Sequence, residues 1–160
     1  VIWHDEGGQW AEKEGVRNRW WAAVEQAAAA YQLTPSRAYR KFQALCEAAL
    51  NDTLLCEAVR YGNRLWVVPV QKTKELAKRK GSFGTFYEYG IKELEELIPA
   101  VNKKIQTMTC YGYDIQKLRR FVRDSRLRGI DRIVPLGQAM TFEPTWDGMD
   151  LIERLSREIS

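Results

Sequence analysis

Few residues in this chain are suited to covalent chemistry, and their types and spacing restrict it further. The 160 residues include three cysteines and a single histidine, His4. The cysteines form no CxxC pair. One histidine argues against both a zinc site of the usual kind and a Ser-His-Asp or Cys-His hydrolase. We therefore expect no metal site and no disulfide framework, which indicates a reducing, cytoplasmic setting.

The three cysteines differ in their expected accessibility. Cys46 and Cys56 fall within helical patterns with apolar neighbours, so we predict that both are core residues. Cys110 ends a predicted strand, at the carboxyl edge of the sheet where ligands gather in α/β proteins. It is the only one of the three that is a candidate for a reactive thiol, and a structural role is still the preferred interpretation for it.

Trp146-Asp147-Gly148 lies between Pro144 and an amphipathic segment near the end of the chain. Asp147 is suited to cap a helix that begins there or at Thr145, with Gly148 relaxing its first turn and Trp146 packing against it. The same triplet could instead border a ligand. The residues by themselves favour the helix start.

Two further segments were considered for anion binding. Gly81-Ser82-Phe83-Gly84 follows a basic stretch, but it precedes a predicted strand and lacks the spacing of known phosphate loops, which favours a tight turn. Residues 117–128 carry six Lys and Arg at positions that alternate with a helical apolar stripe. A solvated helix face is preferred there over a nucleic-acid footprint, because acidic segments elsewhere balance the charge.

The elements that must position these residues fall into two halves. Residues 1–62 are mostly helical after a first strand at 1–4, with helices at 10–32, 35–50 and 54–61. Trp20, Val24, Ala27 and Tyr31 form one predicted apolar stripe, and Tyr39, Phe42, Cys46 and Ala49 form another. Residues 63–160 alternate strand and helix, with strands at 65–70, 85–89, 105–111 and 130–136. Helices are predicted at 91–101, after Asp114, and at the end of the chain.

This alternation predicts an α/β fold with a mainly parallel sheet flanked by helices and a helical first half. The composition is 45% hydrophobic and 29% charged with a net charge of +4, which is typical of one globular domain over residues 1–160. No segment is long and apolar enough to span a membrane.

The order of motifs near the end of the chain resembles a known family. Residues 129–137 read Gly-Ile-Asp-Arg-Ile-Val-Pro-Leu-Gly, and Phe142 and Trp146-Asp147-Gly148-Met-Asp-Leu-Ile follow. This sequence, preceded by Lys-Ile-Gln-Thr at 104–107, resembles the C-terminal part of the acyl-CoA reductases of the bioluminescence fatty-acid reductase type. The resemblance covers residues 102–157, and the first hundred residues match only in general layout.

The resemblance implies an aldehyde dehydrogenase-like fold and an NADPH-dependent oxidoreductase of fatty aldehyde metabolism and luminescence. Such an enzyme reduces a fatty acyl thioester, from acyl-CoA or an acyl-protein, to an aldehyde through an acyl-cysteine. It also implies that Gly137, Trp146, Asp147 and Gly148 border the substrate. A homo-oligomer or an acyl-transferring partner protein is compatible with it.

Several features of a complete reductase are missing from this chain. No residue matches the family's nucleophile, which is expected upstream of Val1, and no dinucleotide fingerprint or Glu-x-Phe-Gly-Pro element occurs. We therefore expect a C-terminal portion of a larger catalytic domain that is inactive alone, with NADPH bound mainly upstream. The alternative is a non-enzymatic module whose basic helix binds an acidic partner or nucleic acid.

Overall fold

The computed structural model describes residues 1–5, 10–51, 57–70, 76, 81–146 and 148–157, without the side chains of 10–13 and 51. Cys56, the basic stretch at 72–75 and 77–80, and Asp147 lie outside the described residues, so the predictions made for them are not compared with the structure. The chain divides into two compact units, residues 1–100 and residues 101–160.

The first unit contains a four-stranded sheet and two long helices. Its strands are β1 (Ile2–His4), β2 (Val59–Tyr61), β3 (Leu65–Pro69) and β4 (Thr85–Ile91), and its helices are α1 (Trp10–Ala28) and α2 (Pro35–Asn51). The sheet order is β1-β4-β3-β2, with β1·β4 and β3·β4 parallel and β2·β3 antiparallel. A 3₁₀ helix (Leu94–Ala100) follows β4 in place of the predicted α-helix, and its Pro99 has no N–H to donate to an α-helical hydrogen bond.

The core of the first unit lies on both faces of β3. Leu65, Trp66, Val67 and Val68 are all buried, as the unbroken apolar run predicts for a strand covered on both sides. Leu65 and Val67 pack with Trp21 of α1, and Trp66 and Val68 pack with Leu45 of α2. Pro69 ends this strand without placing it at the sheet edge.

Both predicted helix stripes in the first unit were partly wrong. In α1, which ends at Ala28, Trp21 is fully buried, whereas Tyr31 lies beyond the helix and is 76% exposed. In α2, Lys41 and Leu45 face the core, and Tyr39, Phe42 and Cys46 are exposed. The prediction of Cys46 as a core residue is therefore wrong. The buried face of α2 is displaced by one position from the expected stripe, which is about 100° around the helix axis. A lysine can occupy that face because its aliphatic stem packs like an apolar side chain.

A buried carboxylate joins α1 to the sheet of the first unit. Glu88 on β4 accepts hydrogen bonds from the indole nitrogens of Trp3 and Trp21 at 3.1 and 3.0 Å. Arg17 of α1 donates to the same carboxylate, with its Nε 2.9 and 3.1 Å from the two oxygens. Burial alone would raise the pKa of Glu88, but these donors outweigh it and lower the pKa below its ordinary value.

The predicted helix at 54–61 is wrong over its described end, because residues Val59–Tyr61 form strand β2. Tyr61 pairs with Leu65, so a three-residue turn of Gly62, Asn63 and Arg64 connects the two strands. Gly62 has φ +60°, the left-handed conformation that such turns require.

The second unit contains a parallel strand pair, one helix beside it and a short hairpin. Strands β5 (Thr107–Cys110) and β6 (Arg132–Pro135) are parallel and are connected by α3 (Ile115–Asp124). Asp114 caps α3 by accepting from the backbone N–H of Gln116 at 2.8 Å, as predicted. Leu118 is the buried residue of the helix.

The end of the chain differs from its prediction. Strands β7 (Thr145–Trp146) and β8 (Met149–Asp150) form an antiparallel hairpin, and the last helix, α4 (Leu151–Leu155), begins only after it. Asp150 caps α4 through the N–H groups of Ile152 and Glu153, so the predicted start at Thr145 or Asp147 is wrong. The apolar residues of the segment that was read as amphipathic do not face inward, because Met149, Ile152 and Leu155 are exposed.

The fold class follows from these pairings. Among the described residues, three of the five strand pairings are parallel, and helices connect or flank the strands, so the chain is a mixed α/β protein with mainly parallel pairing. Within the described part of the chain, no helix combines the length and apolar character needed to cross a bilayer.

Candidate functional site

The carboxyl ends of β5 and β6 bring two of the predicted site residues, Cys110 and Gly137, near one edge. Cys110 pairs with Pro135 at the end of the two strands, and Leu136 donates its N–H to the carbonyl of Cys110 at 2.9 Å. Cys110 is half-buried, and Tyr111 beside it is 81% exposed. Gly137 follows directly with φ +87°, so the chain turns immediately after the strand.

Arg132 holds the segment that leaves this edge. The side chain is buried at the start of β6 and donates from Nη1 to the carbonyl of Ala139 at 2.9 Å and from Nη2 to that of Thr141 at 2.6 Å. Its Nη2 lies 3.5 Å from the Glu143 carboxylate. The segment 137–143 is therefore tied to the sheet by one guanidinium group, which offers five donors in a fixed planar arrangement.

Trp146 covers the same guanidinium. The Arg132 guanidinium carbon lies 4.8 Å from the centre of the Trp146 ring, a cation–π distance. The ring of Phe142 stacks on Trp146 at 6.1 Å between centroids and 22° between planes. Arg132, Trp146 and Phe142 thus form a continuous stack, which ends in a Phe142 side chain that is 74% exposed.

Gly148 forms part of the turn of the β7–β8 hairpin rather than the first turn of a helix. Its φ is +75°, a conformation in which any side chain is strained. A Cβ at this position would lie 3.6 Å from the Cβ of Asp131, so space is available and backbone conformation is the constraint.

A groove of about 470 Å³ opens beside these residues. Helix α3 contributes Arg119 and Arg123 to its lining, and residues 131–148 contribute Asp131, Glu143 and Gly148. Its apolar lining includes the buried Ile133 and the half-buried Val122. Its volume lies within the range of small-ligand sites.

Of the four predicted substrate-facing residues, three are described, and all three adjoin the Arg132 stack. Trp146 is part of it, Gly137 begins the segment that Arg132 holds, and Gly148 turns the hairpin that carries Trp146. Asp147 lies outside the described residues. Cys110 lies at the carboxyl end of the β5–β6 pair and is not one of the stacked residues.

Arg132 itself was missed by reasoning from the sequence. A signal was present, because an arginine within a predicted buried strand at 130–136 must have polar partners. Those partners are carbonyls seven and nine residues later in an irregular segment, which no periodic pattern predicts.

Comparison with protein-family models, with curated proteins and with solved structures finds no match to this chain.

Proposed function

We propose that this chain is the C-terminal portion of an acyl-CoA reductase and that its second unit forms a wall of the acyl-binding site. The enzyme would reduce a fatty acyl thioester to an aldehyde through an acyl group held on a cysteine outside this chain. The single observation that carries the proposal is the Arg132 stack, since Trp146 belongs to it, Gly137 begins the segment that Arg132 holds and Gly148 turns the hairpin that carries Trp146.

The residues given by the resemblance are connected structurally through the Arg132 stack. Arg132, Gly137, Trp146 and Gly148 are spread over 17 positions, yet each shapes or holds the same segment. The result is a loop that leaves the carboxyl end of β6 and is held by Arg132, which lies at the start of the same strand.

The exposed side chains on this segment fit an apolar substrate. Leu136, Met140 and Phe142 are 46%, 86% and 74% exposed. Exposed apolar side chains that form a contiguous patch are typical of ligand or partner surfaces. We assign to them the task of covering a fatty acyl chain and excluding water while the acyl group is held as a thioester.

NADPH would supply the hydride in such a reaction. The chain has no Gly-rich dinucleotide fingerprint, so we assign binding of the cofactor to another part of the full-length protein. In this proposal the residues of the second unit position the acyl chain and take no part in proton or hydride transfer.

The proposal is tested by trapping the acyl intermediate. The full-length protein is incubated with an acyl-CoA without NADPH, and the acyl adduct is located by peptide mass spectrometry. An adduct on a cysteine upstream of Val1 is expected. An adduct on Cys110 would keep the reductase but move its nucleophile into this chain, and the absence of any adduct would overturn the proposal.

The matched variants are Phe142→Ala and Tyr39→Ala, because both remove an exposed aromatic ring but only Phe142 belongs to the stack. The rate of adduct formation with a long-chain acyl-CoA should fall about tenfold in Phe142→Ala, for a lost apolar contact of about 1–2 kcal/mol. Tyr39→Ala should leave the rate unchanged.

A further inference from the structure

The groove beside the Arg132 stack has a lining that differs in charge from one side to the other. Helix α3 contributes two arginines, Arg119 and Arg123, and two carboxylates come from Asp131, just before β6, and Glu143, between β6 and β7. The third arginine of the groove, Arg132, lies 3.5 Å from Glu143 and donates to two backbone carbonyls. The arginines of α3 therefore make one part of the lining cationic, and Asp131 and Glu143 supply hydrogen-bond acceptors in another part.

The two arginines of α3 are suitably placed to bind phosphate together. Positions four apart lie one turn apart on the same helix face, with Cβ atoms about 5–6 Å from each other. Both side chains are exposed. Arg123 has an ion pair with Asp124 at 3.0 Å, but those two side chains are 73% and 67% exposed, so solvent weakens that pair and it competes little with a ligand.

The carboxylates of Asp131 and Glu143 restrict the kind of anion that can bind in the groove. A polyanion such as nucleic acid, or the acidic face of a protein, would bring negative charge against Asp131 and Glu143 as well as against the arginines. The nucleotide of coenzyme A would not, because its phosphates are all attached to the ribose, and the amino group of its adenine can donate to carboxylates at the other end. Val122 and Ile133 add an apolar surface on which a base can rest.

We propose that this groove binds the adenosine-phosphate end of coenzyme A, with Arg119 and Arg123 contacting the phosphates and Asp131 and Glu143 accepting from the adenosine. The inference rests on the proposed function, which supplies the acyl-CoA, and it identifies where the nucleotide part of that substrate is held. Gly148 lines the groove and Trp146 belongs to the stack, so the nucleotide and the acyl chain would contact neighbouring parts of one hairpin.

The basic surface of α3 provides a matched control for this assignment. Arg119 and Arg123 line the groove, whereas Arg120 and Arg126 are exposed arginines of the same region that are not part of its lining. The double variants Arg119→Gln/Arg123→Gln and Arg120→Gln/Arg126→Gln each remove two positive charges, but only the first removes them from the groove. Circular dichroism checks that both double variants keep the fold.

The test is calorimetric titration of the full-length protein and both double variants with coenzyme A and, separately, with NADP⁺. The dissociation constant for coenzyme A is expected to rise about tenfold or more in Arg119→Gln/Arg123→Gln, from lost guanidinium–phosphate bonds. It should stay unchanged in Arg120→Gln/Arg126→Gln, and neither pair should alter NADP⁺ binding. Equal weakening by both pairs would overturn the proposal in favour of general charge attraction. Weakening of NADP⁺ rather than coenzyme A by the groove pair would also overturn it.

A second measurement separates this inference from the proposed function. Adduct formation is followed with an acyl-CoA and with the same acyl group on N-acetylcysteamine, a thioester that lacks the nucleotide. The groove variant should slow the reaction with acyl-CoA only. If adducts form from both donors and the groove variant slows neither, the nucleotide site is wrong and the reductase stands. If coenzyme A binding depends on the groove but no adduct forms, the reductase assignment fails instead.

Discussion

Glu88 shows how a single carboxylate can hold one unit together. It accepts from two indoles and an arginine, which come from β1 and α1 and meet on β4. None of these contacts follows from local sequence, because the partners are 67 to 85 residues away along the chain. Sequence reasoning identified no role for Glu88, which lies in a strand whose position was predicted correctly.

We expect Glu88→Gln to destabilise the protein by about 2 kcal/mol, because it leaves the Arg17 charge without its partner while Arg17 keeps partial access to water. Chemical denaturation at pH 7 measures this, with Glu93→Gln on the exposed surface as the control. The folded pKa of Glu88 is lowered, so its contribution is present above pH 4.5 and is lost as pH falls through the folded value. A variant whose stability falls with acid as steeply as the wild type would contradict this role.

Lys41 is a second buried charge, on α2. Its side chain is 1% exposed, its ammonium donates to the carbonyl of Asn63, and it lies 5.1 Å from the centre of the Trp66 ring. Burial lowers its pKa from 10.5 to about 8. The sequence predicted an apolar stripe one position away, because a lysine is rarely assigned to a core.

Lys41 should make the protein more stable as pH rises from 8 towards 10.5. In that range the unfolded chain binds a proton at this position and the folded chain does not, so raising the pH favours the folded state. Denaturation midpoints measured across this range should rise less in Lys41→Met than in the wild type. Lys92→Met, at an exposed position, should follow the wild type, and an identical pH profile for Lys41→Met would refute the lowered pKa.

At the scale of elements, cap chemistry was predictable and strand pairing was not. The starts of α2 at Pro35 and of α3 after Asp114 were predicted, since caps act through the next few residues. The start of α4 was misplaced because Asp147 and Asp150 both suit a cap, and pairing of β7 with β8 selects Asp150. The conformation of segment 137–143 was not predictable either, because it depends on the hydrogen bonds that Arg132 donates.

Arg132→Gln should release the segment that follows β6. The change removes two charge-assisted hydrogen bonds to carbonyls and the contact with Trp146, so segment 137–146 should open more often. We expect chymotrypsin to cleave after Phe142 about tenfold faster, which corresponds to about 1.4 kcal/mol of lost local stability. Arg120→Gln, on the exposed face of α3, is the control. Equal cleavage rates in the two variants would show that Arg132 does not hold the segment.

At the scale of the whole molecule, the fold class was predictable from the sequence, but the division of the strands between two units was not. Apolar runs and helical periodicity predicted the order of strands and helical segments in residues 63–136, and the mainly parallel pairing was confirmed. What periodicity does not contain is which strands share a sheet. β4 and β5 are successive strands, yet β4 lies in the four-stranded sheet of residues 1–100 and β5 pairs with β6 in residues 101–160.

The position of β1 has a consequence for how the first unit folds during synthesis. Ile2 pairs with Tyr89 and His4 pairs with Ile91, so the first strand of this sheet to be made must wait for the last, β4. Contacts this distant along a chain are slow to form, because the intervening loop must close before any pairing rewards it. On the ribosome, β2 and β3 can meet as a local hairpin first. Trp3 then finds its carboxylate partner only after residue 88 has emerged from the exit tunnel.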